Sequence, residues 1–112
     1  MIRPLIAHRV KGAGGVVKPT FFGLSELAEK ISGCYRAAYA NEPFVRLLEG
    51  KALPDTKNVV GTNFIDMAWR LDPRTKRLIL LSAEDNIVKG ASGQAVQSMN
   101  ILRGLPETAG LI

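Results

Sequence analysis

The sequence is poor in several residue types that carry chemistry. It has one cysteine, Cys34, and one histidine, His8. A single cysteine excludes an internal disulfide and fits a reducing compartment, so a cytoplasmic location is expected. One His and one Cys cannot supply the usual intrachain zinc site, and no metal is expected. No run approaches the roughly 20 apolar residues that a membrane span needs. Residues 1–7 are apolar but too short for a secretory signal. Acids are missing from residues 1–20, which hold Arg3, Arg9, Lys11 and Lys18. The rest of the chain has eleven bases against ten acids, so almost all of the net charge of +5 sits in that arm. No aromatic residue interleaves with those bases, which leaves no stacking platform for single strands, and nucleic acid is not an expected partner. The arm reads as a solvated tail, with contact to a phosphate-bearing ligand, nucleic acid or an anionic surface as the weaker alternatives. Its glycine-rich word, Lys11-Gly12-Ala13-Gly14-Gly15, is neither the G-x-G-x-x-G fingerprint nor a P-loop.

What is present is globular composition. Of 112 residues, 46% are hydrophobic and 22% charged. That suits one domain, or a piece of a larger one. The expected organisation is a basic, glycine-containing arm over 1–20 and a single α+β domain over 21–112, incomplete as it stands.

Leu24, Leu27, Ala28 and Ile31 share one helical face, predicting a helix from about Phe21 to Ala40, with a break at Ser32-Gly33. Cys34 follows that break. A lone Cys on an apolar helical face is ordinarily a small buried hydrophobe. As a nucleophile it would need a helix N-terminus or a nearby cation to form its thiolate. Pro43 ends the helix. Phe44 to Leu48 reads as a short strand, and Val59-Val60 starts another extended segment. Ile65, Met67, Trp69 and Leu71 alternate with Asp66, Ala68 and Arg70, as in a strand with one covered face. Asp72-Pro73-Arg74-Thr75 turns, and Lys76 to Ser82 returns. Leu78 to Leu81 are apolar without alternation, which predicts cover on both faces. The result is an antiparallel sheet with packed helices and too little chain to cover it, so a partner chain or a missing domain is expected.

The last helix organises the rest. Asp85 is a helix-start signal and Gly104-Leu105-Pro106 a helix-stop signal. Val88, Ala91, Ala95, Met99 and Leu102 recur at helical spacing and predict the buried face. The opposite face carries Asn86, Gln94, Gln97, Ser98 and Asn100, an unusual number of amides for a solvated surface. Gly90 and Gly93 cost the helix about 1 kcal/mol each relative to alanine. Close approach of a ligand or of a packed neighbour would explain them.

These words carry a resemblance. Glu42-Pro43-Phe44-Val45-Arg46, Pro54, Val60-Gly61-Thr62-Asn63, the run from Asp85 to Asn100, and Gly104-Leu105-Pro106-Glu107-Thr108 with Gly110-Leu111 stand in the order and spacing of one family. Residues 41–111 resemble the C-terminal part of the N-acetyl-γ-glutamyl-phosphate reductases, NADP-dependent acyl-phosphate reductases of arginine biosynthesis. The resemblance implies part of the C-terminal domain of a glyceraldehyde-phosphate-dehydrogenase-like enzyme, with the NADP-binding Rossmann domain absent from this chain.

It further implies a small-molecule acyl phosphate as substrate, NADP as cofactor, and a homo-oligomer or a separate Rossmann domain as partner. In the implied reaction a cysteine thiolate attacks the acyl phosphate, NADPH delivers hydride, and a His moves protons. Asn86 is implied as the partner of the nicotinamide carboxamide. Gly90 and Gly93 would permit close approach, and Gln94 would face the same cleft. Lys89 would serve a phosphate or the surface. Gly33-Cys34-Tyr35 shares three residues with the family's nucleophile word, and His8-Arg9 shares two with its His-Arg-His word. Cys34 and His8 are therefore the catalytic candidates, although neither stands in the family's full word. A similar glycine-rich loop would place a deletion between Gly15 and Glu42. The alternatives are a non-catalytic remnant serving as a protein-interaction module, and the related aminoadipyl-phosphate reductase of lysine biosynthesis.

Overall fold

A computed structural model describes residues 23–112. His8 and the basic arm, with its glycine word, lie outside the described residues. The chain divides into two compact units, Met1–Cys34 and Tyr35–Ile112. The boundary falls inside the first helix, α1 (Leu24–Tyr39).

α1 runs without a break through Ser32 and Gly33, where a kink was expected. A single glycine costs a helix about 1 kcal/mol, which the flanking turns can absorb. Leu27 and Ala28 are half-buried and Ile31 is buried, on the face that the spacing predicts.

The second unit holds a three-stranded sheet in the order β1 (Val45–Leu47), β2 (Ile65–Leu71), β3 (Leu78–Glu84). The α+β class is as expected, but the sheet is mixed. β2 and β3 are antiparallel, with Ile65 opposite Glu84 and Leu71 opposite Leu78. β1 runs parallel to β2, with Val45 opposite Ile65. The reason is the connection. A parallel pair needs a crossover of about a dozen residues or more, and residues 48–64 provide it. Asp55 caps a 3₁₀ turn over Thr56–Asn58 by accepting from Lys57 N–H, so the chain curls where an extended Val59-Val60 was expected. Val59 is fully buried and Val60 points outward, 67% exposed.

Two arginines tether the crossover. Arg46 on β1 bonds Asp66 on β2 at 2.6 Å, reaches Asn58 O at 3.0 Å and lies 4.7 Å above the Phe64 ring. Arg70 on β2 reaches Ala52 O at 2.9 Å. Asp66 is buried, so its charge needs that partner. Phe44, buried beside β1, meets Phe64 edge-on at 5.6 Å. Asp72 orders the β2–β3 turn by accepting from Thr75 Oγ1 and from Arg74 N–H, contacts that hold its carboxyl below the usual range.

By register, Val45, Leu47, Met67, Trp69, Leu71, Leu78 and Leu80 share one sheet face. Ile79 and Leu81 share the other with Asp66 and Ala68. Ile79 and Leu80 are 47% and 45% exposed, so the cover predicted for both faces of β3 is incomplete within the described chain.

After β3 the chain enters a wide π-helical turn, Val88–Ser92, and then α2 (Gly93–Leu102). Gly104, at φ +67°, ends α2 as expected, because a residue without Cβ enters this left-handed conformation freely. Leu105 N–H reaches back to Asn100 O at 2.9 Å and Gly104 N–H to Ile101 O at 3.2 Å, the paired bonds of a Schellman motif.

Candidate functional site

Asp85 builds the entry to the last helix. One carboxylate oxygen accepts from Ile87 and Val88 N–H at 2.8 and 2.9 Å, and the other from Gly61 N–H at 2.9 Å. Three backbone donors, Gly61 first among them, hold its carboxyl below the ordinary range. Asp85 thus caps the helix start, as its position in the sequence predicts, and also ties that start to the crossover loop.

The wide turn follows from Gly90 N–H bonding Asp85 O and Ser92 N–H bonding Ile87 O, both at 2.9 Å and both five residues back. Such turns insert one residue into a helix and often mark functional positions. This one contains Gly90 and follows directly on Asn86-Ile87. A Cβ built on Gly90 would lie 3.4 Å from Asn86 Oδ1 and 3.4 Å from Asp85 O, an ordinary contact. Asn86 is exposed, and its side-chain amide has no hydrogen-bond partner among the described residues.

Gly93 differs. A Cβ there would meet Asn63 Oδ1, and would lie 2.7 Å from Val88 O and 2.8 Å from Val88 Cγ1. Its missing side chain makes room for a packed neighbour in its own unit rather than for a ligand.

The burial of α2 reverses the expected pattern. Gly93, Gln97 and Asn100 are buried, while Met99 is 50% exposed and Leu102 85%. Gln97 and Asn100 face inward because their amides have partners there. Asn63 Nδ2 donates to Gln97 Oε1 at 2.9 Å, and Gln97 Nε2 to Glu107 Oε1 at 2.7 Å. Asn100 Nδ2 donates to the carbonyls of Glu107 and Ala109. Lys89 Nζ joins at 2.8 Å from Gln97 Oε1 and 2.7 Å from Gln94 Oε1, and lies 5.6 Å from the centre of the Phe44 ring. Burial pushes the Lys89 ammonium below its usual range, with the carboxylates of Glu84, Glu107 and Glu42 pulling it the other way. Gln94 is exposed, with its oxygen engaged by Lys89.

Of the expected cofactor residues, the structure brings Asn86 and Gly90 together. It leaves Gln94 one helical turn further on, joined to them through Lys89. Cys34 sits mid-way along α1, half-buried, not at a helix start. Its neighbour Arg36 makes an exposed pair with Glu49 at 3.4 Å. Sequence reasoning missed Asn63, Gln97 and Glu107 as one network. The signal was the excess of amides on α2, which the spacing assigned to the outside.

The model for the semialdehyde dehydrogenase dimerisation domain matches residues 4–86. The chain belongs to that family. It is also 43% identical to an N-acetyl-gamma-glutamyl-phosphate reductase of Symbiobacterium thermophilum, over 98% of this chain and 33% of the relative. The reductase of Akkermansia muciniphila is 58% identical over 74% of this chain and 24% of its own length. That of Lachnospira eligens is 51% identical over 93% and 30%. The resemblance of residues 41–111 to the C-terminal part of these reductases therefore holds. The Symbiobacterium alignment, 116 residues long over nearly the whole chain, contains no gap large enough for a long deletion between Gly15 and Glu42. The chain spans a quarter to a third of the length of these relatives. Among the described residues, no helix is long and apolar enough to cross a membrane.

Proposed function

We propose that this chain is the C-terminal portion of an NADP-dependent N-acetyl-γ-glutamyl-phosphate reductase, and that its turnover requires a cofactor domain outside these residues. The relatives described above all carry that reductase name, which favours the glutamyl over the aminoadipyl substrate. The observation that carries the cofactor reading is Asn86. Its amide is exposed and has no hydrogen-bond partner among the described residues, and the nearby Gly90 has no side chain. A free amide offers one acceptor and two donors, which suits another carboxamide. The residues present thus fit the nicotinamide end of the cofactor. When bound, NADPH supplies the hydride. This chain's part is to orient the carboxamide through Asn86.

The exposed apolar side chains of β3, together with the dimerisation-domain match, support a homo-oligomer in which a second subunit covers the sheet.

The test is Asn86→Ala in the polypeptide that carries this chain together with its cofactor domain. Loss of one hydrogen-bonding group, about 1–1.5 kcal/mol, is expected to raise KM for NADPH about tenfold. Unchanged KM and kcat would remove Asn86 from the cofactor contact.

A further inference from the structure

Lys89 is the nearest cation to the Asn86–Gly90 turn in sequence, and the simplest role for it would be a direct phosphate contact. Its surroundings point elsewhere. Two of its three ammonium hydrogens are engaged by Gln97 Oε1 and Gln94 Oε1, at 2.8 and 2.7 Å, and the Phe44 ring lies 5.6 Å away. An ammonium is a compact donor with three directions, so little of it is left for an anion.

Its acceptors are also anchored. Gln97 is buried and bonded to Asn63 on the crossover loop and to Glu107 beyond α2. Lys89 itself lies inside the wide turn, beside Gly90, and Asn86 stands two residues before that turn begins. The turn is held at its start by Asp85, whose carboxylate reaches Gly61 on the same crossover loop. Within the turn, Lys89 is the side chain that ties it forward onto α2.

We propose that Lys89 is a positioning residue. Its bonds to Gln97 and Gln94 fix the angle between the π-helical turn and α2, so that Asn86 meets the nicotinamide carboxamide without reorganising. The proposal rests on the reading of Asn86 given above. It assigns Lys89 no contact with substrate or cofactor. A side chain acting in this way matters only through Asn86, whereas a phosphate contact would act independently of it.

The experiment compares Asn86→Ala, Lys89→Met and the double variant in the polypeptide that includes the cofactor domain, with KM measured separately for NADPH and for the acyl phosphate. Lys89→Met is expected to raise KM for NADPH about fivefold, with kcat and the acyl-phosphate KM within twofold of the parent. Adding it to Asn86→Ala is expected to change nothing further. Lys89→Arg keeps the charge and donors and is expected to restore most of the NADPH affinity. If Lys89→Met does not yield folded protein, Lys89→Gln enters the same cycle.

An additive double variant, or a rise confined to the acyl-phosphate KM, would make Lys89 a direct contact and overturn the proposal. So would an unchanged NADPH KM in Lys89→Met beside a raised one in Asn86→Ala, and the reading of Asn86 would then stand. An Asn86→Ala variant with unchanged KM removes the reading and the proposal together.

Discussion

Gly93 and Gly90 lie three residues apart and have different reasons to be glycine. The first is enclosed by a buried amide and a backbone carbonyl, neither free to move aside. Overpacking a rigid site costs about 1–3 kcal/mol, while replacing glycine in a helix regains up to about 1. Gly93→Ala is therefore expected to destabilise by about 1–2 kcal/mol, and Gly90→Ala to be neutral or slightly stabilising, in urea unfolding. Equal midpoints for the two variants would defeat this account. The cost of both glycines was legible in the sequence. Which one faced a neighbour was not, because Asn63 lies thirty positions earlier and meets Gly93 only through the crossover loop.

At the scale of the element, α2 shows how burial follows partners rather than polarity. Its apolar stripe through Met99 and Leu102 faces outward, and two of its amides, Gln97 and Asn100, are buried with partners on Asn63, Lys89, Glu107 and Ala109. Helical periodicity identifies two faces without saying which one turns inward when both could be covered. Met99→Gln with Leu102→Gln is expected to leave the unfolding midpoint nearly unchanged in the free subunit. Gln97→Leu strands Asn63 Nδ2, removes an acceptor from Lys89 and a donor from Glu107, and is expected to cost about 2–4 kcal/mol. A larger loss in the Met99/Leu102 variant than in Gln97→Leu, read by thermal or urea unfolding, would reverse this assignment. β1 carries a similar lesson. Its apolar letters marked a strand, but its parallel direction depends on a seventeen-residue connection (48–64) that curls through a 3₁₀ turn.

For the molecule as a whole, the described chain has more apolar surface than it covers. Leu80 at 45%, Ile79 at 47% and Leu102 at 85% exposure stand on separate surfaces of the second unit. A chain that spans a third or less of its relatives is expected to look like this where the remainder, or a second subunit, is absent. If a second subunit covers the sheet, a charge placed on its apolar face opposes assembly, since burying an unpaired carboxylate is costly. Leu80→Glu is expected to shift the protein toward smaller species in sedimentation velocity with its secondary structure retained. An unchanged distribution would move the subunit contact off this face.

The sequence by itself determined the α+β class, the β2–β3 hairpin, the capped start at Asp85, the glycine exit at Gly104, and the likeness to the reductases. All of these rest on neighbours close along the chain or on words that survive in order. Tertiary structure alone decided the direction of β1, the inward turn of the amide face of α2, and the network joining Asn63, Gln97, Lys89 and Glu107. Those depend on where a long crossover returns and on which buried polar groups find partners, and neither quantity is periodic in sequence. By sequence alone the last helix is an apolar stripe with surplus amides. In the fold, the buried amides of Gln97 and Asn100 hold it in place, and Asn86, just before the wide turn, has no hydrogen-bond partner among the described residues.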